Sequence, residues 1–136
     1  MTTKIILLTC TLSLAFWDSD AVAYTEKGFM VGGGVGAVSC PDFLDAMATA
    51  RQSGGVTTNA GANVINPYLQ YVVGFQTGYN FAADGVFDVF GSLGKDPAIK
   101  VLFAIEPWCA KHPEEHFADA LLDLLKTLGE NATEPH

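Results

Sequence analysis

An all-α fold, a small bundle of four main helices closed by one disulfide, is what this sequence predicts, and three observations carry that prediction. X-Pro steps stand where helices would begin, at Cys40-Pro41, Asn66-Pro67, Asp96-Pro97 and His112-Pro113. Apolar residues downstream of these steps recur at helical spacing. Two cysteines, Cys40 and Cys109, fall within the helical region.

The chain opens with Lys4, an apolar run from Ile5 to Trp17, and Ala21-Val22-Ala23. That pattern reads as a secretory signal peptide cleaved after Ala23, with an apolar run too short for a bilayer span. The expected location is therefore periplasmic or secreted. Cys10 leaves with the leader, and Thr9 before it does not fit a lipid-attachment site. In an oxidising compartment Cys40 and Cys109 are expected to pair structurally, the alternative being a redox couple without the C-x-x-C arrangement. The expected organisation is a leader over 1–23, a Gly-rich extended segment over 24–39, a helical domain over 40–129 and a disordered tail over 130–136.

Proline fits the first helical position because its missing N–H has no intrahelical partner there and its φ is already helical. Helix one is expected from Pro41 to Gln52, with Phe43, Leu44 and Met47 as its stripe. Helix two is expected from Pro67 to Ala83, with Asn66 as cap. It is apolar nearly all round, which predicts the central, most buried position. Helix three starts at Pro97 behind Asp96 and carries Ile99, Leu102, Phe103 and Ile105, with Pro107 kinking or ending it near Glu106. Helix four is expected from Pro113 to Leu128, with Phe117, Leu121, Leu124, Leu125 and Leu128 on one face. Glu114 and Glu115 suit its N-terminal end, Lys126 its last turn, and Gly129 stops it. Ser53–Ile65 and Asp84–Lys95 read as loops, with Phe87 and Phe90 of the second tucked into the core.

Fifteen acidic residues against seven basic give a formal net charge of −8. Such a chain has no electrostatic attraction for nucleic acid or for anionic lipid, and neither is expected as a partner. The carboxylates form a charge reservoir that titrates at low pH, or simply a solvated surface.

Local motifs point away from catalysis. Gly32-Gly33-Gly34-Val35-Gly36-Ala37 satisfies a dinucleotide pattern but lacks the strand before it and the βαβ continuation after it. His112-Pro113-Glu114-Glu115-His116 spells an inverted zinc-protease motif, yet Pro113 pushes His112 out of the helix, off the face that carries His116. The third histidine, His136, is terminal. No serine or cysteine has a credible base nearby, and the pairs Asp42/Asp45 and Asp119/Asp123 stand at surface spacings. No enzyme activity, cofactor or metal is expected. Gly74 and Gly78 form a G-x-x-x-G step, expected to let a helix or an aromatic ring approach the backbone closely. Tyr68, Tyr71, Phe75 and Tyr79 make an aromatic stripe, read as core, with a ligand wall or homodimer interface as the alternative. Asn131-Ala132-Thr133 is a glycosylation sequon in the tail.

Three segments taken together resemble a family. Cys40-Pro41-Asp42-Phe43-Leu44 is similar to the first-cysteine helix of HdeA-like periplasmic proteins. Tyr71-Val72-Val73-Gly74-Phe75-Gln76-Thr77-Gly78-Tyr79-Asn80 resembles the G-[FY]-x-x-G-[YF]-N helix of the related Tai/Rap-type immunity domains. Trp108-Cys109-Ala110-Lys111-His112-Pro113 followed by Phe117-Ala118-Asp119-Ala120 is similar to their closing segment. The resemblance spans Cys40 to Leu128. It implies an exported helical domain with a Cys40–Cys109 disulfide, no enzymatic activity, and a protein partner. That partner would be a peptidoglycan amidase effector for an immunity protein, or an unfolded client for an HdeA-like acid-stress chaperone. Pro107 and the long Ser53–Ile65 loop depart from the family pattern.

Overall fold

The computed structural model describes residues 33–129, all within one compact unit. The expected leader, Cys10, most of the Gly-rich segment, the tail, Asn131 and His136 lie outside the described residues. Among the described residues there are four α-helices: α1 (Cys40–Gln52), α2 (Asn59–Ala82), α3 (Pro97–Lys111) and α4 (Phe117–Gly129). A 3₁₀ turn precedes them at Gly34–Ala37 and a second, Gly91–Leu93, leads into α3. Helix α1 packs on α2 and α3, and α3 packs on α4. Among the described residues there is no strand beyond a single antiparallel bridge, Ser39 to His116. No described helix is long and apolar enough to cross a membrane.

Helix α1 begins as the sequence predicts. Ser39 is its N-cap, its hydroxyl accepting from the Asp42 N–H at 3.3 Å and donating to the Asp42 carboxylate at 2.7 Å. Pro41 occupies the first turn. Phe43, Met47 and Ala50 are buried, with Leu44 half-buried beside them. Near the far end, Arg51 donates to both carboxylate oxygens of Glu106 at 2.6 Å and so ties α1 to α3. That pair is half exposed on the arginine side and adds little stability by itself.

Helix α2 corrects the sequence reading in its start and in its burial, while its end at Ala82 agrees. It starts at Asn59, not Pro67, so most of the expected Ser53–Ile65 loop is helical. The real cap is Thr58, whose hydroxyl oxygen accepts from the Gly61 N–H at 3.1 Å. Pro67 sits inside the helix. It is tolerated because it and Asn63, whose carbonyl loses its intrahelical donor, both lie on the exposed face, where water serves instead. The helix is also not buried all round. Gly61, Ile65, Tyr68 and Val72 are its only buried residues among those described. Gly61 is the close-packed glycine: a Cβ there would run into the Gly55 carbonyl and stand 2.7 Å from that of Ala50. The α1–α2 corner depends on that contact, with Gly54 and Gly55 turning the chain at φ 97° and 105°.

Helix α3 starts at Pro97 as expected but runs through Pro107 to Lys111. The expected break near Glu106 does not occur. Pro107 and Phe103, the residue whose carbonyl it leaves without a donor, both face solvent. Phe103 is thus 42% exposed, whereas Val101, Leu102 and Ile105 form the buried face. Pro113 does not start α4. It lies in a turn closed by the Glu115 N–H donating to the His112 carbonyl at 3.1 Å, and α4 begins at Phe117. The Asp119 carboxylate accepts from the His116 N–H at 3.1 Å, a side chain at the third helical position reaching back to the cap. The chain entering α4 is pinned beside the start of α1, because the Cys40 N–H donates to the Glu115 carbonyl and the Phe117 N–H to that of Val38, both at 2.9 Å.

The core has an aromatic centre. Phe43, Tyr68 and Phe117 stand in mutual contact, their ring centroids 4.9 to 5.3 Å apart, and Tyr71 meets Phe117 edge-on at 5.9 Å. Burial raises the Tyr68 phenol pKa above the ordinary tyrosine value, with the charge of Asp42 adding to it. Tyr71 is raised in the same way, by burial and then by Asp119. A phenol raised in the folded state is favoured neutral by the fold, so this stabilisation is complete below about pH 10 and is lost as pH rises through the folded value. Alkaline titration should therefore show late-ionising phenols whose ionisation coincides with loss of helical circular dichroism. Ionisation of all phenols at the ordinary value with the helices intact would contradict this.

Candidate functional site

The functional candidates of the sequence fall into three places. Cys40 and Cys109 are joined, with Cα atoms 4.9 Å apart and both residues fully buried. The bridge fastens the start of α1 to the last turn of α3. Beside it the Trp108 indole stacks on the His112 ring at a centroid distance of 4.1 Å, and His112 Nδ1 lies 2.8 Å from the Trp108 carbonyl that accepts from it. His112 is the C-cap of α3, not the start of α4.

His116 is separate from His112. Its Nδ1 stands 3.4 Å from Asp119 Oδ2. Glu115, His116 and Asp119 bring one ligand atom each within 4.8 Å of one another and are the described residues that could hold a metal ion. They lie at the surface, and Asp119 already serves the helix cap. The glycine-rich run forms the first 3₁₀ turn. Gly36 lies under the Tyr71 ring, where a Cβ would stand 2.6 Å from Tyr71 Cζ. Among the described residues no polar or charged residue is buried, and no buried side-chain nitrogen or oxygen lacks a partner.

The aromatic stripe of α2 faces inward. Tyr68 is buried, and Tyr71, Phe75 and Tyr79 are half-buried against the core. Gly74 and Gly78 do the opposite of what their spacing suggested. Both are exposed, and a Cβ on either would meet nothing within 4 Å. Alanine at either position should therefore stabilise the isolated chain by up to about 1 kcal/mol, the helix-propensity difference. Urea unfolding of G74A and G78A checks this, and a loss of stability would mean that a close contact is made there within the chain.

The largest exposed apolar groups gather around the end of α2. Phe81 is 92% exposed and Phe87 is 95% exposed, on either side of the Asp84-Gly85 turn. Phe87 was expected in the core with Phe90, and only Phe90 is there. The reason is local anchoring. Val89 and Phe90 are buried, the Val89 N–H donates to Asn80 Oδ1 at 2.9 Å, and Asp88 Oδ1 accepts from Gln76 at 2.6 Å and from the Phe90 N–H at 3.1 Å. These contacts hold the segment just after Phe87 against α2 and leave the phenyl ring outside. Nearby on α2, Val73 is 46% exposed and borders an open groove of about 280 Å³ with Leu69, Gln76 and Asp96–Ile99. Sequence reasoning missed this apex because two phenylalanines three residues apart in a loop read as core anchors, and only the Asp88 and Asn80 contacts decide which one points inward.

Comparison of the chain with protein-family models, with curated proteins and with solved structures finds no match.

Proposed function

We propose that this chain is a non-catalytic, exported protein-binding domain of the immunity-protein type, which binds its partner through the Phe81–Phe87 apex. The observation that carries the reading is Phe87, almost fully exposed on a segment whose neighbours are anchored. Burying such a ring against a partner gains about 1.5–3 kcal/mol, and a pre-set backbone reduces the ordering cost of doing so. The buried Cys40–Cys109 bridge supports export, because such bridges persist in oxidising compartments. The resemblance of Cys40–Leu44, Tyr71–Asn80 and Trp108–Ala120 to Tai/Rap-type domains supports an amidase effector as the partner. Affinity purification of the folded, oxidised chain from its own periplasm should recover one stoichiometric protein. A Phe81→Ser/Phe87→Ser variant with unchanged circular dichroism should lose it. No stoichiometric partner, or equal recovery by the variant, overturns the reading.

A second reading, an acid-activated chaperone of the HdeA type, is favoured by where the carboxylates sit. Glu106 joins α3 to α1 through Arg51, and Asp88 fastens the loop to α2 through Gln76, so two ties between elements rest on carboxyl groups. Trp108, next to the bridge, reports opening. Acid exposure followed by its emission, with a hydrophobic dye and an aggregating client present, separates the two. Opening with client protection selects the chaperone, whereas a closed chain, or opening without protection, leaves the native-state binder.

A further inference from the structure

We propose that Asp84-Gly85, in the turn that follows α2, is a site of spontaneous aspartate isomerisation in the folded chain. The reaction is attack of the Gly85 backbone nitrogen on the Asp84 side-chain carboxyl. It needs a carboxyl that is free to turn, a following N–H not held in a hydrogen bond, and no side chain crowding that nitrogen. Asp84 and Gly85 meet all three conditions. Both are exposed, at the centre of a turn closed by the Val86 N–H donating to the Ala83 carbonyl at 3.4 Å. Gly85 takes φ 75°, as the third residue of such a turn often does, and a Cβ there would meet nothing within 4 Å. Among the described residues neither the Asp84 carboxylate nor the Gly85 N–H has a hydrogen-bond partner.

The other described aspartates each fail a condition. Asp42, Asp45, Asp119 and Asp123 lie within helices, where the N–H that follows is bound to a carbonyl one turn back. Asp96 is followed by Pro97, which has no N–H. Asp88, in the same loop as Asp84, gives the sharpest contrast. Its Oδ1 accepts from Gln76 and from the Phe90 N–H, and the Val89 N–H donates to Asn80 Oδ1 at 2.9 Å. Carboxyl and nitrogen are both tied at Asp88 and both free at Asp84.

In the first step the Gly85 nitrogen bonds to the Asp84 side-chain carboxyl carbon. The nitrogen's proton and the carboxyl hydroxyl leave as water, and a five-membered succinimide ring closes. Water then opens the ring at either of its carbonyl carbons. Cleavage at the side-chain carbonyl restores aspartate. Cleavage at the main-chain carbonyl leaves the chain running through the side chain, longer by a methylene, with the main-chain carboxyl free. The water lost is regained, so the mass is unchanged. The lengthened link lies between Phe81 on α2 and the anchored Val89, so Phe87 shifts relative to Phe81. The chemistry does not rest on the partner-binding reading. Its consequence does: a chain aged without its partner loses the spacing of the two rings.

The purified, oxidised chain is incubated at neutral pH and digested with trypsin, which places Asp84 in the peptide from Gln52 to Lys95. A second form of that peptide, of equal mass and altered retention, is expected to grow with time. Electron-transfer fragmentation should locate the isoaspartate at 84 and not at 88. Unchanged circular dichroism through the incubation shows that the folded chain reacts. Asp84→Glu keeps the charge but would need a six-membered ring, and should abolish the second form. Aged wild-type chain should recover less partner than fresh wild-type chain, whereas aged and fresh Asp84→Glu should recover equal amounts. No isoaspartate at 84, isoaspartate spread evenly over the aspartates, or a second form that persists in Asp84→Glu overturns the proposal. Isoaspartate at 84 with undiminished recovery overturns only the consequence for binding. No recovery by the fresh chain counts against the partner-binding reading and leaves the site standing.

Discussion

Replacing Cys40 and Cys109 together by alanine is expected to cost about 2–5 kcal/mol, a large part of the stability of this domain. The bridge joins residues 69 apart in sequence, and a loop of that length gives about 4 kcal/mol of closure entropy removed from the unfolded chain. Measured losses for small exported domains are about 2–5 kcal/mol, against total stabilities of about 5–15 kcal/mol. The placement makes the loss felt throughout. The bridge fixes the first residue of α1 to the last turn of α3, and the same corner receives the backbone contacts that bring α4 onto α1. Urea unfolding of the oxidised chain and of the double variant measures the difference. A loss below about 1 kcal/mol would mean that the four helices hold together by packing alone and that the bridge is incidental.

The second large effect is expected at Phe117. Its ring touches those of Phe43, Tyr68 and Tyr71, so one side chain is shared by α1, α2 and the start of α4. It is fully buried. Phe117→Ala should destabilise by about 3–5 kcal/mol through lost transfer energy and the cavity left behind. Phe117→Leu, which keeps most of the volume, should lose clearly less. Thermal unfolding followed by circular dichroism orders the two. Equal, small losses would show that the rings around Phe117 collapse into its place and are not a fixed centre.

Much of the fold was legible because its signals are local. Cys40-Pro41 behind Ser39 and Asp96-Pro97 mark real helix starts, and the Phe117, Leu121, Leu125 face of α4 is the buried one. The errors share a cause. Pro67, Pro107 and Pro113 were read as boundaries, but what a proline does depends on which way its residue faces. Inside α2 and α3 the carbonyl it leaves without a donor is on the solvent side, and the helix continues. Before α4 the chain needs a turn to bring His116 beside Ser39, and Pro113 serves that turn. The start of α2 carried a legible sign, Thr58 followed by Gly61, Ile65, Tyr68 and Val72 at helical spacing, masked by the glycines and asparagines among them. The glycines follow the same logic. Spacing picked out Gly74 and Gly78, whereas the close approaches fall at Gly36, which meets Tyr71 across the fold, and at Gly61, which meets the Gly55 carbonyl in the α1–α2 corner. The exposed apex was the least legible part, because the anchors that turn Phe87 outward lie on α2 at Gln76 and Asn80.

The proposal that this apex binds a partner is tested most directly by photo-crosslinking in the cell of origin. A photoreactive phenylalanine analogue replaces Phe87 in one strain, and Asp45 on α1 or Asp123 on α4, both exposed, in control strains. The account predicts one discrete adduct with a different protein from position 87 and none from the controls. No adduct at 87, or the same adducts from all three positions, would contradict it.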